Sequence, residues 1–202
     1  MAIELEYKLQ IPSEETMNRL LSAPEITALR ESDYREIPMK TTYYDTGSLL
    51  FSDMGWTLRH RMEGDESVVC FKCPGDVPHS RNEWQVSAPE LNLESVLGLL
   101  AQGAPMEIAM FFRGENPPQP ICGAEFLRRC AMVTFSDGSR AEIAIDKGRV
   151  FGTKGELPIS ELELELYEGE PDEMKKFAVL LCNTYDLEPQ PLSKFARAKT
   201  LR

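Results

Sequence analysis

Glutamate alternates with leucine through ELELELY (161–167). The pattern puts Glu161, Glu163 and Glu165 on one side of an extended chain and Leu162, Leu164 and Leu166 on the other. A helix would spread these two sets around its circumference, whereas a pleated strand separates them completely. The same two-residue period marks the N-terminus, where Glu4, Glu6 and Lys8 interleave with Ile3, Leu5, Tyr7 and Leu9. It returns in WTLRHRM with Thr57, Arg59 and Arg61, and in VCFKC with Cys70 and Lys72. RNEWQ aligns Arg81, Glu83 and Gln85, and EIAID aligns Glu142, Ala144 and Asp146. FLRRC supplies Arg128 and Arg129, of which one strand can send only one to a given face.

Strands are expected at 3–11, 39–45, 55–62, 67–73, 81–87, 124–135, 140–146 and 159–167, about eight in all. SDGS and DKGRV read as turns between the last three. Helices are expected from Ser13 as an N-cap, over 91–103 with a terminal glycine, over 105–112, over 171–185, and from Ser193 to the C-terminal end. Mostly antiparallel strands with helices at intervals indicate an α+β domain built on a closed sheet. NPPQP (116–120) is the strongest break, and the 202 residues suit one domain over 1–202.

Hydrophobic content of 42% and charged content of 27% are those of a globular chain. No apolar run approaches the ~18 residues of a membrane span. The N-terminus is acidic within its first six residues, unlike a secretion signal, so a cytoplasmic location is expected. A net charge of −11 disfavours nucleic acid and anionic membranes as partners. It leaves room for a small anion held by a local cluster of bases. The five cysteines, Cys70, Cys73, Cys122, Cys130 and Cys182, are odd in number, which favours free thiols. In CFKC, Cys70 and Cys73 point to opposite faces of a strand, which does not suit zinc.

A charged sheet face can look at water or at a ligand. Exposed faces mix signs, yet here some strands are purely acidic and others purely basic. Same-face neighbours on a strand stand ~7 Å apart, where two carboxylates repel by ~0.6 kcal/mol in water and ~2.4 kcal/mol at an effective dielectric of 20. On a wet surface the acidic strand is therefore cheap. Facing inward, it requires a cation, and the basic strands require an anion. Hard ions such as Mg²⁺ or Mn²⁺ take carboxylate oxygens and keep waters for phosphate. Arginine and lysine take phosphate directly. No G-x-x-x-x-G-K-[ST] loop exists in the chain, so any phosphate grip must come from side chains.

Glu4-x-Glu6-x-Lys8 resembles the opening signature of the CYTH superfamily, the triphosphate tunnel metalloenzymes. YYDT (43–46), LRHR (58–61), Lys72, RNEWQ, AIDKG, ELELE and SKFAR (193–197) are similar to the later motifs of that family, in order and along nearly the whole chain. The resemblance implies an eight-stranded antiparallel β-barrel with a charged bore. It also implies hydrolysis or cyclisation of a triphosphate-bearing small molecule with Mg²⁺ or Mn²⁺. Glu4, Glu6, Glu163 and Glu165 would hold metal, and Glu161 on the same face is counted with them. Lys8, Arg59, Arg61, Lys72, Arg81, one or both of Arg128 and Arg129, and Lys194 would clamp phosphates. Lys8, Glu83 and Asp146 would complete the catalytic set, the two acids orienting bases or a water. Asp45 suits a turn, and Tyr43 and Tyr44 suit packing. Asp146 before Lys147-Gly148 also fits ordinary turn chemistry. Gln85 departs from the pattern, standing where a second acid of R-x-E-x-E often lies.

The leading expectation is an inorganic or closely related organic triphosphatase. Class IV adenylyl cyclase, thiamine triphosphatase and a non-catalytic polyphosphate-binding module are the alternatives. His60 alternates away from Arg59 and Arg61, and His79 follows a proline, so neither suits a general base. Helices outside the sheet could support a homodimer.

Overall fold

The computed structural model describes residues 5–75, 81–114 and 117–202. Its strands are β1 (Glu6–Gln10), β2 (Arg35–Asp45), β3 (Thr57–Glu63), β4 (Glu66–Pro74), β5 (Arg81–Ser87), β6 (Gln119–Thr134), β7 (Arg140–Gly152), β8 (Gly155–Glu168) and β9 (Glu188–Pro189). The helices are α1 (Glu14–Leu21), α2 (Pro24–Thr27), α3 (Leu50–Asp53), α4 (Leu93–Ala101), α5 (Glu107–Arg113), α6 (Pro171–Tyr185) and α7 (Lys194–Lys199). All strands join one antiparallel sheet in the order β5-β4-β3-β2-β6-β7-β8-β1-β9.

The α+β class is as expected, but the closed eight-stranded barrel is not. Among the described residues the sheet is open, with β5 and β9 as its edges and nine strands in all. The ninth forms where the chain after α6 returns to the free edge of β1. There the Gln190 N–H donates to Lys8 O at 2.8 Å and its side-chain amide donates to Gln10 Oε1 at 2.9 Å. A two-residue strand is too short to leave a periodic signal. The NPPQP break does not divide the sheet, because β6 starts at Gln119 and pairs with β2 from the other side of it.

The expected turn after Asp146 is also absent. β7 runs on to Gly152, and Gly148 sits mid-strand opposite Phe126. A Cβ at Gly148 would lie 2.1 Å from the Glu125 carbonyl oxygen and 2.4 Å from Phe126 Cα. The glycine therefore permits a close backbone approach, not a reversal.

Capping follows the sequence. Ser13 Oγ accepts from Thr16 N at 3.0 Å, Ser193 Oγ accepts from Ala196 N at 3.0 Å, and Asn92 with Ser95 forms a reciprocal box.

Helices cover the apolar sheet face in two layers. Met17 and Leu20 of α1 and Met174, Phe177 and Leu181 of α6 bury Leu9, Ile143, Ile145, Leu162 and Leu164. Phe51 of α3, Val96 and Leu99 of α4 and Ile108 of α5 bury Leu58, Val69 and Phe71. The leucines of ELELELY thus face helices, which accounts for one half of the alternation. Elsewhere on that face Lys40, Glu125, Arg149 and Glu156 form a ladder of alternating sign at 3.4, 3.1 and 2.6 Å. This is how a water-facing strand surface usually looks. No helix among the described residues is long and apolar enough to cross a membrane.

Among the helices of the described residues, α7 alone lies on the opposite, charged face, over β6, β7 and β8. The Phe195 ring lies tilted against Tyr43 with centroids 4.8 Å apart, and Ala198 packs with Phe126, Val150 and Ile159. The packing role expected for Tyr43 is therefore met.

Asp45 ends β2 as the turn reading expected. It is buried, and its Oδ1 accepts from Thr46 N at 2.8 Å and Phe51 N at 2.9 Å. Its Oδ2 accepts from Ser52 N at 3.0 Å and Ser52 Oγ at 2.6 Å. Asp45→Asn replaces an acceptor by an NH₂ aimed at donors. It should cost about 2–3 kcal/mol in urea unfolding. An unchanged unfolding midpoint would show that these bonds contribute nothing net.

Candidate functional site

Register decides which side chains share a face, because directly opposite residues point the same way. Glu6 lies opposite Glu165, Lys8 opposite Glu163, and Gln10 opposite Glu161. Glu142 and Asp146 lie opposite Glu165 and Glu161, and Arg128 lies opposite Asp146. In the other half of the sheet Tyr43 faces Arg59, Thr41 faces Arg61, Arg59 faces Cys70, and Lys72 faces Glu83. Arg81 precedes Glu83 by two residues and so shares its face. One face therefore collects Glu6, Lys8, Arg59, Arg61, Lys72, Arg81, Glu83, Arg128, Asp146, Glu161, Glu163 and Glu165. Lys194 reaches it from α7.

The arginine doublet is separated. Arg128 points to this face, while Arg129 is on the opposite one, its Nε donating to Glu36 Oε1 at 2.6 Å. His60 is also on the opposite face, hydrogen-bonded to Ser67 Oγ at 2.6 Å. The five cysteines are free, with Cys70 against Glu83 and Cys73 in the helix-covered core. Glu4 and His79 lie outside the described residues.

At the acidic end, Lys194 Nζ lies 2.8 Å from both Asp146 Oδ2 and Glu163 Oε1 and also pairs with Glu161. Arg128 donates to Asp146 through Nε at 2.9 Å and Nη2 at 2.7 Å, and it bonds Glu163 as well. Arg197 Nη2 donates to Glu161 Oε2 at 2.5 Å. Three carboxylates here meet three cations. Asp146 and Glu161 are fully buried, and these cations offset the cost of placing carboxylates there. Ligand oxygens of Asp146, Glu161 and Glu163 come within 4.8 Å of one another, but Lys194 fills the space between them.

Burial alone would raise the pKa of Glu163, yet Lys194 and Arg128 outweigh it and hold the carboxyl at about 2. Glu6 is pushed the other way, above its usual range, by burial and then by Glu163, with Lys8 at 3.1 Å opposing. Glu6 and Glu165 are directly opposed acids beside Glu163, an arrangement that is unfavourable without a cation. Hard carboxylate oxygens on adjacent strands fit Mg²⁺ or Mn²⁺ by donor chemistry.

At the basic end, Glu83 Oε2 pairs with Lys72 at 2.5 Å and Oε1 with Arg59 at 3.6 Å, and the Cys70 thiol donates to Oε1 at 2.9 Å. Arg61 pairs with Glu63 at 2.5 Å, and Arg81 Nη2 donates to Gly55 O at 2.8 Å. The buried Nε of Arg59 has no hydrogen-bond partner among the described residues. Burial pushes the Arg61 guanidinium below its usual range, and the like charges of Arg59 and Arg128 add to this. Arg61 is thus a cation disfavoured by its surroundings, which is a property of an anion site. Sequence reasoning missed Glu63, although it continues the period set by Arg59 and Arg61.

The CYTH domain model matches residues 2–198. The inorganic triphosphatase of Haemophilus influenzae is 28% identical over 208 residues, covering 100% of this chain and 55% of that protein. The chain thus spans about half the length of this curated relative. A Hippeastrum protein described as an adenylyl cyclase with a dominant triphosphatase activity superposes with a TM-score of 0.64 at 16% identity, covering 98% of this chain and 96% of that one. A Bacillus halodurans protein assigned as an adenylate cyclase gives 0.58 at 18% identity, covering 95% and 94%. At such identities the superpositions establish the fold. With its model matched along almost the whole length, the chain belongs to the CYTH domain family.

Proposed function

We infer that this protein is a divalent-metal-dependent triphosphatase acting on inorganic triphosphate or a closely related triphosphate-bearing substrate. One observation carries the reading: a single sheet face gathers most of its carboxylates on β1, β7 and β8 and most of its strand-borne bases on β3, β4 and β5, and the two sets meet at Arg128, Glu163 and Lys194. Family membership and the inorganic triphosphatase relative support it.

Glu6, Glu163 and Glu165, with Glu4 from the preceding residues, would hold the Mg²⁺ or Mn²⁺, which when bound supplies charge neutralisation and polarises a phosphoryl oxygen. The chain's own residues do the rest. Lys8, Arg61, Lys72 and Lys194 each rest on a carboxylate of the same face and would exchange it for phosphate oxygens. Arg59, Arg81 and Arg128 extend the grip. Lys8, opposite Glu163, would touch the terminal phosphoryl group. Glu83 positions Lys72 and Arg59, and Asp146 positions Arg128 through two bonds. Water oxygen attacks the terminal phosphorus in line, the bridging P–O bond breaks, and the proton leaves to solvent or a carboxylate. No nucleophile from the protein is required.

The aromatic residues of this face favour an inorganic substrate over a nucleotide. Tyr43 and Phe126 are buried beside α7 and offer no open ring for a base. The test is a phosphate-release panel with tripolyphosphate, ATP and thiamine triphosphate under Mg²⁺ and Mn²⁺. Metal-dependent release should be at least about tenfold faster from tripolyphosphate than from the other two, the step one hydrophobic or stacking contact is worth. Cyclic AMP from ATP would establish the cyclase instead. Tight tripolyphosphate binding without turnover under either metal would establish a binding module.

A further inference from the structure

Glu161 belongs by sequence to the acidic strand, yet its surroundings differ from those of its neighbours. Glu165 is exposed and Glu163 partly so, whereas Glu161 has no exposed surface. It is paired with Lys194 and with Arg197, both carried by α7. Arg197 is itself buried, 8% exposed, and its Nη2 to Glu161 contact is 2.5 Å. Ser193 Oγ fixes the start of α7, so Lys194 and Arg197 stand one helical turn apart and face the same strand. The Lys194 ammonium also reaches Asp146 and Glu163 at 2.8 Å. Any cation entering the Asp146, Glu161 and Glu163 cluster would have to expel this lysine and leave Arg197 without its carboxylate.

We propose that Glu161 is a positioning residue and not a metal ligand: together with Arg197 it seats α7 so that the Lys194 ammonium is aimed at the substrate phosphates. The Arg197–Glu161 pair takes one side of the carboxylate, and Lys194 is held at the other, next to Glu163. The assignment rests on the triphosphatase reading only for the identity of the phosphate ligand.

Four variants test it: Glu161→Gln, Arg197→Met, the two combined and, for rescue, Arg197→Lys. Mn²⁺ binding is followed by calorimetry without substrate, and tripolyphosphate hydrolysis is resolved into kcat and KM. Glu161→Gln and Arg197→Met should each leave the Mn²⁺ dissociation constant within twofold of the parent. Each should raise KM at least tenfold with a smaller change in kcat, and Arg197→Lys should restore part of the loss. The Glu161→Gln/Arg197→Met double variant should be no worse than the weaker single one, because both remove one interaction. A tenfold or greater loss of Mn²⁺ affinity in Glu161→Gln, with Arg197→Met normal, would make Glu161 a ligand and overturn the proposal. So would an unchanged KM in Arg197→Met, which decides the matter even if Glu161→Gln does not fold. If the parent hydrolyses no triphosphate, the functional reading fails, and the Mn²⁺ titration still decides the role of Glu161 by comparison with Glu163→Gln.

Discussion

Glu163→Gln lowers metal-dependent phosphate release from tripolyphosphate by at least about 10³-fold, or ~4 kcal/mol of transition-state stabilisation. The carboxylate does two things at once in the proposed site. It offers oxygen to the cation beside Glu6 and Glu165, and it holds Arg128 and Lys194. An amide keeps the shape but loses the charge, and it points an NH₂ at one of these cations. Mn²⁺ affinity should fall at least tenfold as well, so metal binding and turnover fail together.

The same substitution leaves a mark on stability. Glu163 is held at about 2, below its ordinary value of 4.5. A depressed carboxyl stabilises the fold above its unfolded pKa and loses that contribution as pH falls through its folded value. The affected window is therefore pH 4.5 down to about 2, with a size on the order of 3 kcal/mol. Urea unfolding at pH 6 and pH 3 should show the parent losing more stability than the variant over that interval. Full activity in Glu163→Gln would refute the metal assignment, whatever the unfolding curves show.

How much of this was legible beforehand differs between face and edge. The two-residue period of Glu6-x-Lys8, Arg59-x-Arg61 and Glu161-x-Glu163-x-Glu165 places these groups on one face without reference to the rest of the fold, since the pleat enforces it. Arg128 and Arg129 were ambiguous because register is a property of pairs. Only the pairing of Arg128 with Asp146 settles which arginine turns toward the acids. The supposed turn at Asp146-Lys147-Gly148 misled because glycine marks both reversals and close backbone approaches, and only the contact with Glu125 O distinguishes them. β9 and the open edges of the sheet depend on where the chain after α6 returns, which a local pattern does not encode. The pairing of Glu161 with α7 was hidden for the same reason: the residues are in contact across 36 positions of sequence.

Arg61→Met separates what the basic wall does for the fold from what it does for the ligand. Arg61 lies beside Arg59 and within reach of the Arg128 charge with its side chain 21% exposed, and partial burial with these like charges pushes its guanidinium below the usual range. Among the described residues its one close carboxylate is Glu63, whose side chain is 32% exposed, so water can solvate that group once the arginine is gone. Same-face neighbours on a strand stand ~7 Å apart, where two like charges repel by about 2 kcal/mol at an effective dielectric of 20, so removing this cation while Glu63 turns to water should stabilise the ligand-free protein by about 1 kcal/mol. For a chain of this size that is about 2–4 °C in Tm. The ligand-free variant should therefore melt higher than the parent. In hydrolysis it should lose about 10²–10³ in kcat/KM, the cost of one charge-assisted phosphate contact in a desolvated site. Tripolyphosphate with Mn²⁺ should raise the Tm of the parent and do so far less for the variant, because a ligand stabilises only the state it binds. A variant that melts lower yet keeps its tripolyphosphate response would place the anion elsewhere and make Arg61 a structural residue. The opposite pair of results is what an anion site predicts, since its cations are strained together until the phosphates arrive.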